Sequence, residues 1–334
     1  MSAVTAPVEA RATGRENVLL GWTRRNVWTV GLVAFLVALL VFTKLIQPRY
    51  GPIPVQGLAT SVLPLALAAV AQAVVVIAGG IDLSIGSMMA LTSVIAATAM
   101  DGQSGQFGVA VVLGVLVIGL VLGGVNGILV VATRVPDIVV TLAMAFVWAG
   151  CALLVRSAPG GSASDWFKEL AVGSIGNEWI PRAAVALAII VGVVWIPLVR
   201  SRIGLSIYAI GSNQLAAFRS GVPVGRTKFV AYVLTGLFSA LGGLALTAST
   251  GIGTPVAGPY TLMSVAAVVL GGVSLAGGRG GVFGPIVAVV ILQLVRTDMT
   301  FLNVNTNLAV VAQGVILIGV VMVGSLIQMR RARA

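Results

Sequence analysis

A chain of 334 residues with 58% apolar and only 9% charged side chains cannot cover a water-facing surface, since soluble domains carry about 25% charge. Its mean hydropathy of +1.09 places it in the bilayer, and long apolar runs without period-two alternation select helices over a barrel. The formal charge of +11, with no histidine, comes from cations scattered between apolar runs; this argues against nucleic acid as a partner and reads as topology signalling. The expected fold class is all-α: a polytopic membrane protein of about ten transmembrane helices.

Residues 1–26 are polar, hold Arg11, Arg15, Arg24 and Arg25, and are not followed by a small-residue cleavage site. They read as a cytosolic tail. The transmembrane domain is expected over 27–327, with spans near 27–45, 58–78, 85–99, 109–131, 138–155, 183–199, 229–248, 262–271, 282–295 and 308–327, and a cytosolic basic tail over 328–334. The third and eighth spans are short and have glycine-rich neighbours, so they are tilted, broken or partly re-entrant. With the N-terminus inside, only Lys44, Arg49, Arg156, Lys168, Arg182 and Arg296 of the 20 Lys and Arg fall outside. This bias and an even number of spans put both termini in the cytoplasm.

The second and third spans are joined by AGGIDLSIGS, residues 78–87. Asp82 stands there beside a membrane core with no base close in sequence. An acid at that depth is costly and needs a partner or a cavity. Three readings stay open: Asp82 caps the third span, lines a solute pathway, or pairs with a distant arginine such as Arg134 or Arg279. The polar residues within the apolar spans are few: Gln72, Asp82, Ser84, Ser87, Asn126, Thr141, Gln293 and Gln313. From these, Asp82, Ser84, Gln72, Asn126 and Thr141 form the candidate pathway set. Asn126, in Gly123-Gly-Val-Asn-Gly, equally suits bonding across packed helices, and Thr141 equally suits bonding back to its own helix. The lone Cys151 is a packing residue, and neither a metal cluster nor a disulfide is expected.

The external connection 156–182 carries Trp166, Phe167 and Trp179, suited to meeting another protein or to anchoring at the interface. The cytosolic connection 200–228 reads RSRIGLSIYAIGSNQLAAFRSGVPVGRTK. Ser212 or Asn213 is placed to cap a helix, Gln214–Arg219 gives about two turns, Gly221 suits a left-handed end, and Pro223 blocks continuation. A short helix of fixed size suits a socket on a cytosolic partner; the other reading is a helix lying on anionic lipid. The glycine-rich run 269–285 reads as a tight cytosolic turn with Arg279 near the headgroups, or as a second partner contact. It lacks the strand before and the Lys-Ser/Thr after that a phosphate loop has, so any use of ATP belongs to another polypeptide. Residues 86–97 loosely echo 258–267 on the opposite side, as an inverted repeat of two five-helix halves would.

Five stretches taken together, AGGIDLSIGS, VPDIVVTLA, SAPGG, YAIGSNQLAAFRSGVPV and LGGVSLAGGRGGVFG, resemble the membrane-spanning permease subunit of bacterial ABC importers for monosaccharides. This is the ribose, xylose and arabinose type, in a wider group with branched-chain amino-acid permeases, and the likeness covers about 58–327. It implies a non-enzymatic subunit in the bacterial plasma membrane, working by alternating access. The implied partners are a second permease copy (identical or related), an extracytoplasmic solute-binding protein and a cytosolic ATPase that carries the ATP and Mg²⁺; this chain would bind no cofactor. The capped helix would be the ATPase-coupling segment, with Asn213, Gln214, Ala217, Arg219, Ser220, Gly221 and Pro223. Two alternatives are carried: a proton-coupled secondary transporter using Asp82, and an ABC permease for a non-sugar solute such as a branched-chain amino acid. Against the first, proton carriers usually need a relay of several ionisable groups, whereas this chain has no histidine and Asp137 and Asp298 fall near span ends.

Overall fold

The structure, a computed structural model, describes residues 27–256 and 258–305 and the isolated positions 308, 311, 314, 315, 318, 319 and 322. The expected N-terminal tail, Gln313, the basic tail and most of the expected tenth span lie outside the described residues. The helices are α1 (Val27–Ile46), α2 (Pro52–Ile77), α3 (Ile85–Met100), α4 (Gly105–Thr133), α5 (Asp137–Val155), α6 (Asp165–Lys168), α7 (Arg182–Arg200), α8 (Arg202–Ser212), α9 (Gln214–Arg219), α10 (Val224–Thr250), α11 (Tyr260–Leu270) and α12 (Phe283–Phe301).

Seven of these, α1, α2, α4, α5, α7, α10 and α12, are long and apolar enough to cross a bilayer. The apolar helices α3 and α11, with 16 and 11 residues, rise about 24 and 16 Å at 1.5 Å per residue. Both fall short of a hydrocarbon core of about 30 Å, matching the short third and eighth segments expected from sequence. The two echoed stretches touch: the Gly86 N–H at the start of α3 donates to Thr261 Oγ1 on α11 at 3.0 Å.

Burial sorts the helices into a centre and a rim. In α2, 89% of the spanning window is buried, against 67% in α10 and 61% in α12. Only 11–17% is buried in α7, α1 and α5, whose outward Phe42, Phe146 and Val193 are exposed. Those faces are left uncovered by the rest of the chain. The α4–α10 seam is made of small residues: a Cβ on Gly236 would sit 2.7 Å from both Cα and N of Gly123. Such close backbone approach is a common way for helices to associate without a hydrophobic driving force.

The 156–182 connection departs from the all-helical expectation. Strands β1 (Ser174–Ile175) and β2 (Asn177–Pro181) form a small antiparallel ribbon around Gly176, which has φ +67°. Arg182 pins it by donating to the Ser174 and Glu169 carbonyls at 3.1 and 2.9 Å. Upstream, Gly160 and Gly253 exchange backbone hydrogen bonds of 3.0 and 2.8 Å, fastening this connection over the end of α10.

Candidate functional site

The first two glycines of AGGIDLSIGS end α2. Gly79 takes φ +84°; its N–H donates to Val76 O, and the Gly80 N–H donates to Val75 O, both at 2.9 Å. This pair of bonds is a Schellman stop, which satisfies carbonyls that the helix end would leave unpaired. The chain then turns through Ile81, Asp82 and Leu83 into α3.

Asp82 is fully buried. Its Oδ1 accepts from the Ser84 N–H at 2.8 Å and from Ser84 Oγ at 2.6 Å. Of the three readings left open for Asp82, capping of α3 takes only an indirect form. Ser84 does hold the N-cap position, but its side chain makes no capping bond. Its hydroxyl is engaged sideways, and Asp82 binds the cap residue itself, as in an Asx turn. The three ion pairs among the described residues are Asp165–Lys168, Glu169–Arg182 and Asp137–Lys228, so Asp82 pairs with neither Arg134 nor Arg279.

From Ser84 the polar chain continues across helices. Asn126 Nδ2 donates to Ser84 Oγ at 2.7 Å, and Asn126 Oδ1 accepts from Trp148 Nε1 at 3.2 Å. Thr141 braces the turn from the other side: its Oγ1 accepts the Leu83 N–H at 3.1 Å and lies 2.9 Å from Asp137 O and 3.2 Å from Ile81 O. Thus Asp82, Ser84, Asn126 and Thr141, all buried, are brought to one turn. Gln72 is not. It is buried within α2, and neither end of its amide has a hydrogen-bond partner. Gln293 donates to Ser61 O at 2.9 Å and ties α12 to α2. Trp148 was not among the sequence candidates; the available signal was an indole N–H in an otherwise apolar helix, which needs an acceptor when buried.

On the 200–228 connection, Asn213 Oδ1 accepts from the Ala216 N–H at 2.9 Å and caps α9. At the other end Gly221 has φ +83°. The Gly221 N–H donates to Phe218 O and the Val222 N–H to Ala217 O, both at 3.0 Å, a second Schellman stop. Pro223 then precedes α10. Ala217 faces inward, while Leu215 and Phe218 are 59% and 67% exposed beside Gln214 and Arg219. A six-residue helix fixed at both ends therefore presents two large apolar side chains.

The sequence predicts one helix in this connection; the structure has two. The additional α8 is started by Ser201, whose hydroxyl accepts from the Gly204 N–H at 3.1 Å. Its far end lies against the end of α2: Gly211 packs on the carbonyl of Ile77, and a Cβ there would also meet Gly278 N at 2.6 Å. The Gly278 N–H donates to the same Ile77 carbonyl at 2.9 Å, and Tyr208 Oη donates to Gly280 O at 2.8 Å. Three motifs that are far apart in sequence, 78–80, 208–212 and 277–280, thus form one backbone joint.

Known proteins resemble the chain over most of its length. The profile of the family described as the permease component of branched-chain amino acid transport systems matches residues 55–321. The chain is 32% identical over 264 residues to the ribose import permease protein of Escherichia coli K12, covering 77% of this chain and 81% of that one. It is 31% identical over 255 residues to the D-allose transport system permease protein of the same organism, covering 75% and 77%. It is also 34% identical over 267 residues to the galactose/methyl galactoside import permease protein of Haemophilus influenzae, covering 74% and 79%. No solved structure matches the chain. With four-fifths of its length matched by one profile, the chain belongs to the family of permease components of branched-chain amino acid transport systems.

Proposed function

We propose that this chain is the membrane-spanning subunit of an ATP-driven importer that moves a monosaccharide, or a similarly small polar solute, into the cytoplasm. The observation that carries the reading is α9, capped by Asn213, stopped at Gly221 and offering Leu215 and Phe218 outward. The relatives named for ribose, allose and galactose support a sugar as cargo. The family description supports a branched-chain amino acid as the second candidate.

In this reading a cytosolic ATPase holds ATP and Mg²⁺ and receives α9 through Gln214, Leu215, Phe218 and Arg219. Asn213, Ala217, Ser220, Gly221 and Pro223 set the shape of the helix. An extracytoplasmic binding protein delivers the solute to the face formed by the external connection, and a second permease copy, identical or related, completes the pathway. The protein lies in the bacterial plasma membrane, in contact with its lipid, and keeps both termini in the cytoplasm. Closure of the ATPase pushes α9 and shifts α7 and α10, switching access between the two sides. Asp82, Ser84, Asn126 and Thr141 hold the inner turn that borders the pathway, and Gln72 is the polar side chain left free to meet the solute.

A proton-coupled carrier built on Asp82 has less support. Asp82 Oδ1 is committed to Ser84, the chain has no histidine, and a capped cytosolic helix has no task in a lone carrier. The test is reconstitution of the full chain with its ATPase and binding protein, scoring uptake of labelled ribose, allose, galactose and leucine. ATP-dependent uptake of a sugar is expected, and Gly221→Asp should leave ATP hydrolysis running while abolishing uptake. Uptake that persists without ATP and collapses with an uncoupler overturns the reading.

A further inference from the structure

The docking helix is attached at both sides to the turn that carries Asp82. On its N-terminal side, Gly211 of α8 packs on the Ile77 carbonyl. On its C-terminal side, Lys228 in the second turn of α10 reaches Asp137, the first residue of α5. Lys228 Nζ lies 3.3 Å from Asp137 Oδ1 and 3.4 Å from Oδ2, and the side chains are 19% and 14% exposed.

Asp137 holds the same turn in two ways. Its carbonyl is bonded by Thr141 Oγ1, which also engages Ile81 O and the Leu83 N–H. Its carboxylate closes on Gly80: a Cβ added there would sit 3.0 Å from Tyr232 Oη and closer still to Asp137 Oδ2. Residues 80–83 are therefore gripped by the first two turns of α5, whose first residue is held by the cation that follows the docking segment. The hydrogen bonds then run on from Asp82 through Ser84 and Asn126 to Trp148, back on α5.

We propose that the Lys228–Asp137 ion pair is a positioning element for transport, tying the docking segment to α5 and the Asp82 turn so that displacement of α9 is transmitted to both. A largely buried pair suits this task. Taking one partner away leaves an uncompensated charge, so the two groups move together. An exposed pair would be too weak to transmit anything. The inference rests on the importer reading above, since it needs an ATPase to move α9.

The chain supplies its own reporter. Cys151 is its single cysteine, half-buried on α5 three residues after Trp148. The full chain with its ATPase, in lipid nanodiscs, is treated with a small maleimide, either free of nucleotide or trapped with ATP and vanadate. The parent's labelling rate should change at least threefold on trapping. Lys228→Asp and Asp137→Lys should each retain the ATPase and hydrolyse ATP but show less than a 1.5-fold change; the double exchange should regain at least half of the parent's response. Where the reversals fail to insert, Lys228→Met, which removes the cation without adding an acid, takes the same readout. A parent that does not respond, single variants that respond as the parent does, or an exchange that regains nothing overturns the linkage. Failure of the parent to bind any ATPase overturns the importer reading instead.

Discussion

Asn126 on α4 spends both ends of its amide on other elements: Nδ2 on Ser84 at the head of α3, and Oδ1 on the indole of Trp148 on α5. Replacing it with alanine would leave the Trp148 N–H without its acceptor and remove a donor to Ser84. A buried polar group left unpaired costs about 1–3 kcal/mol. Asn126→Ala should therefore lower the unfolding midpoint of the detergent-solubilised protein, and Trp148→Phe should lower it less, because the Ser84 bond survives. The double variant should be less destabilised than the sum of the two, since contacting residues couple. Strict additivity would show that the amide and the indole do not interact.

The carboxylate of Asp82 uses one oxygen, Oδ1, to hold Ser84, while Oδ2 has no partner. Asparagine keeps an oxygen in the Oδ1 position and alanine does not. Asp82→Asn is expected to insert normally and to keep at least half of the parent's uptake. Asp82→Ala should lose about 1–3 kcal/mol of stability and most of its uptake. A stable Asp82→Asn protein with no uptake would show that the charge itself serves the solute path, beyond its part in the turn.

The punctuation of the chain was partly legible in the sequence. Asn213…Gly221-Pro223 around two turns of helix formers is a local signal, and both ends of that helix came out as expected; 78–87 was legible only as a join between two spans, with its Gly79-Gly80 stop unread. Asp82 and Ser84 were legible as a polar turn but not as partners of each other, because a serine ahead of a helix ordinarily bonds forward. Here the Asn126 amide and the Asp82 carboxylate draw its hydroxyl sideways. Gln293, one of the few polar residues within the spans, bonds Ser61 O; an amide there serves packing or a pathway equally well, and only its neighbours decide. The α8 helix was missed because Ile, Ser, Gly and Tyr in Arg202–Ser212 weaken its intrinsic propensity, and its burial against Ile77 and Gly278 makes up the deficit. Lys228 and Asp137 are 91 residues apart, beyond the reach of any local pattern.

Two glycines in the 200–228 connection separate conformational strain from crowding. Gly221 has φ +83°, but a Cβ there would meet nothing within 4 Å, so Gly221→Ala should cost only about 1 kcal/mol from its left-handed backbone. Gly211 lies in ordinary helix, yet a Cβ there would strike the Ile77 carbonyl and sit 2.6 Å from Gly278 N. Neither backbone can yield without opening the joint, and overpacking of that kind costs about 1–3 kcal/mol or more. Thermal unfolding should rank Gly211→Ala clearly below Gly221→Ala. The reverse order would mean that the joint between α2, α8 and the 277–280 turn is loose.

Asn213 sets where α9 begins. Its Oδ1 satisfies the Ala216 N–H, one of the donors a helix start leaves unpaired. Removing such a cap costs about 1 kcal/mol, a small share of the stability of the whole protein but a large one for a helix of only six residues. Asn213→Ala should therefore leave the unfolding midpoint nearly unchanged while weakening capture of the ATPase about fivefold, as about 1 kcal/mol implies. Asn213→Asp keeps an equivalent acceptor and should bind nearly as the parent does. The measurement is the affinity of the purified ATPase for nanodisc-held variants. Equal affinity for alanine and asparagine would mean that the ATPase itself orders α9 on docking, and that the two stops serve only the chain's return to α10.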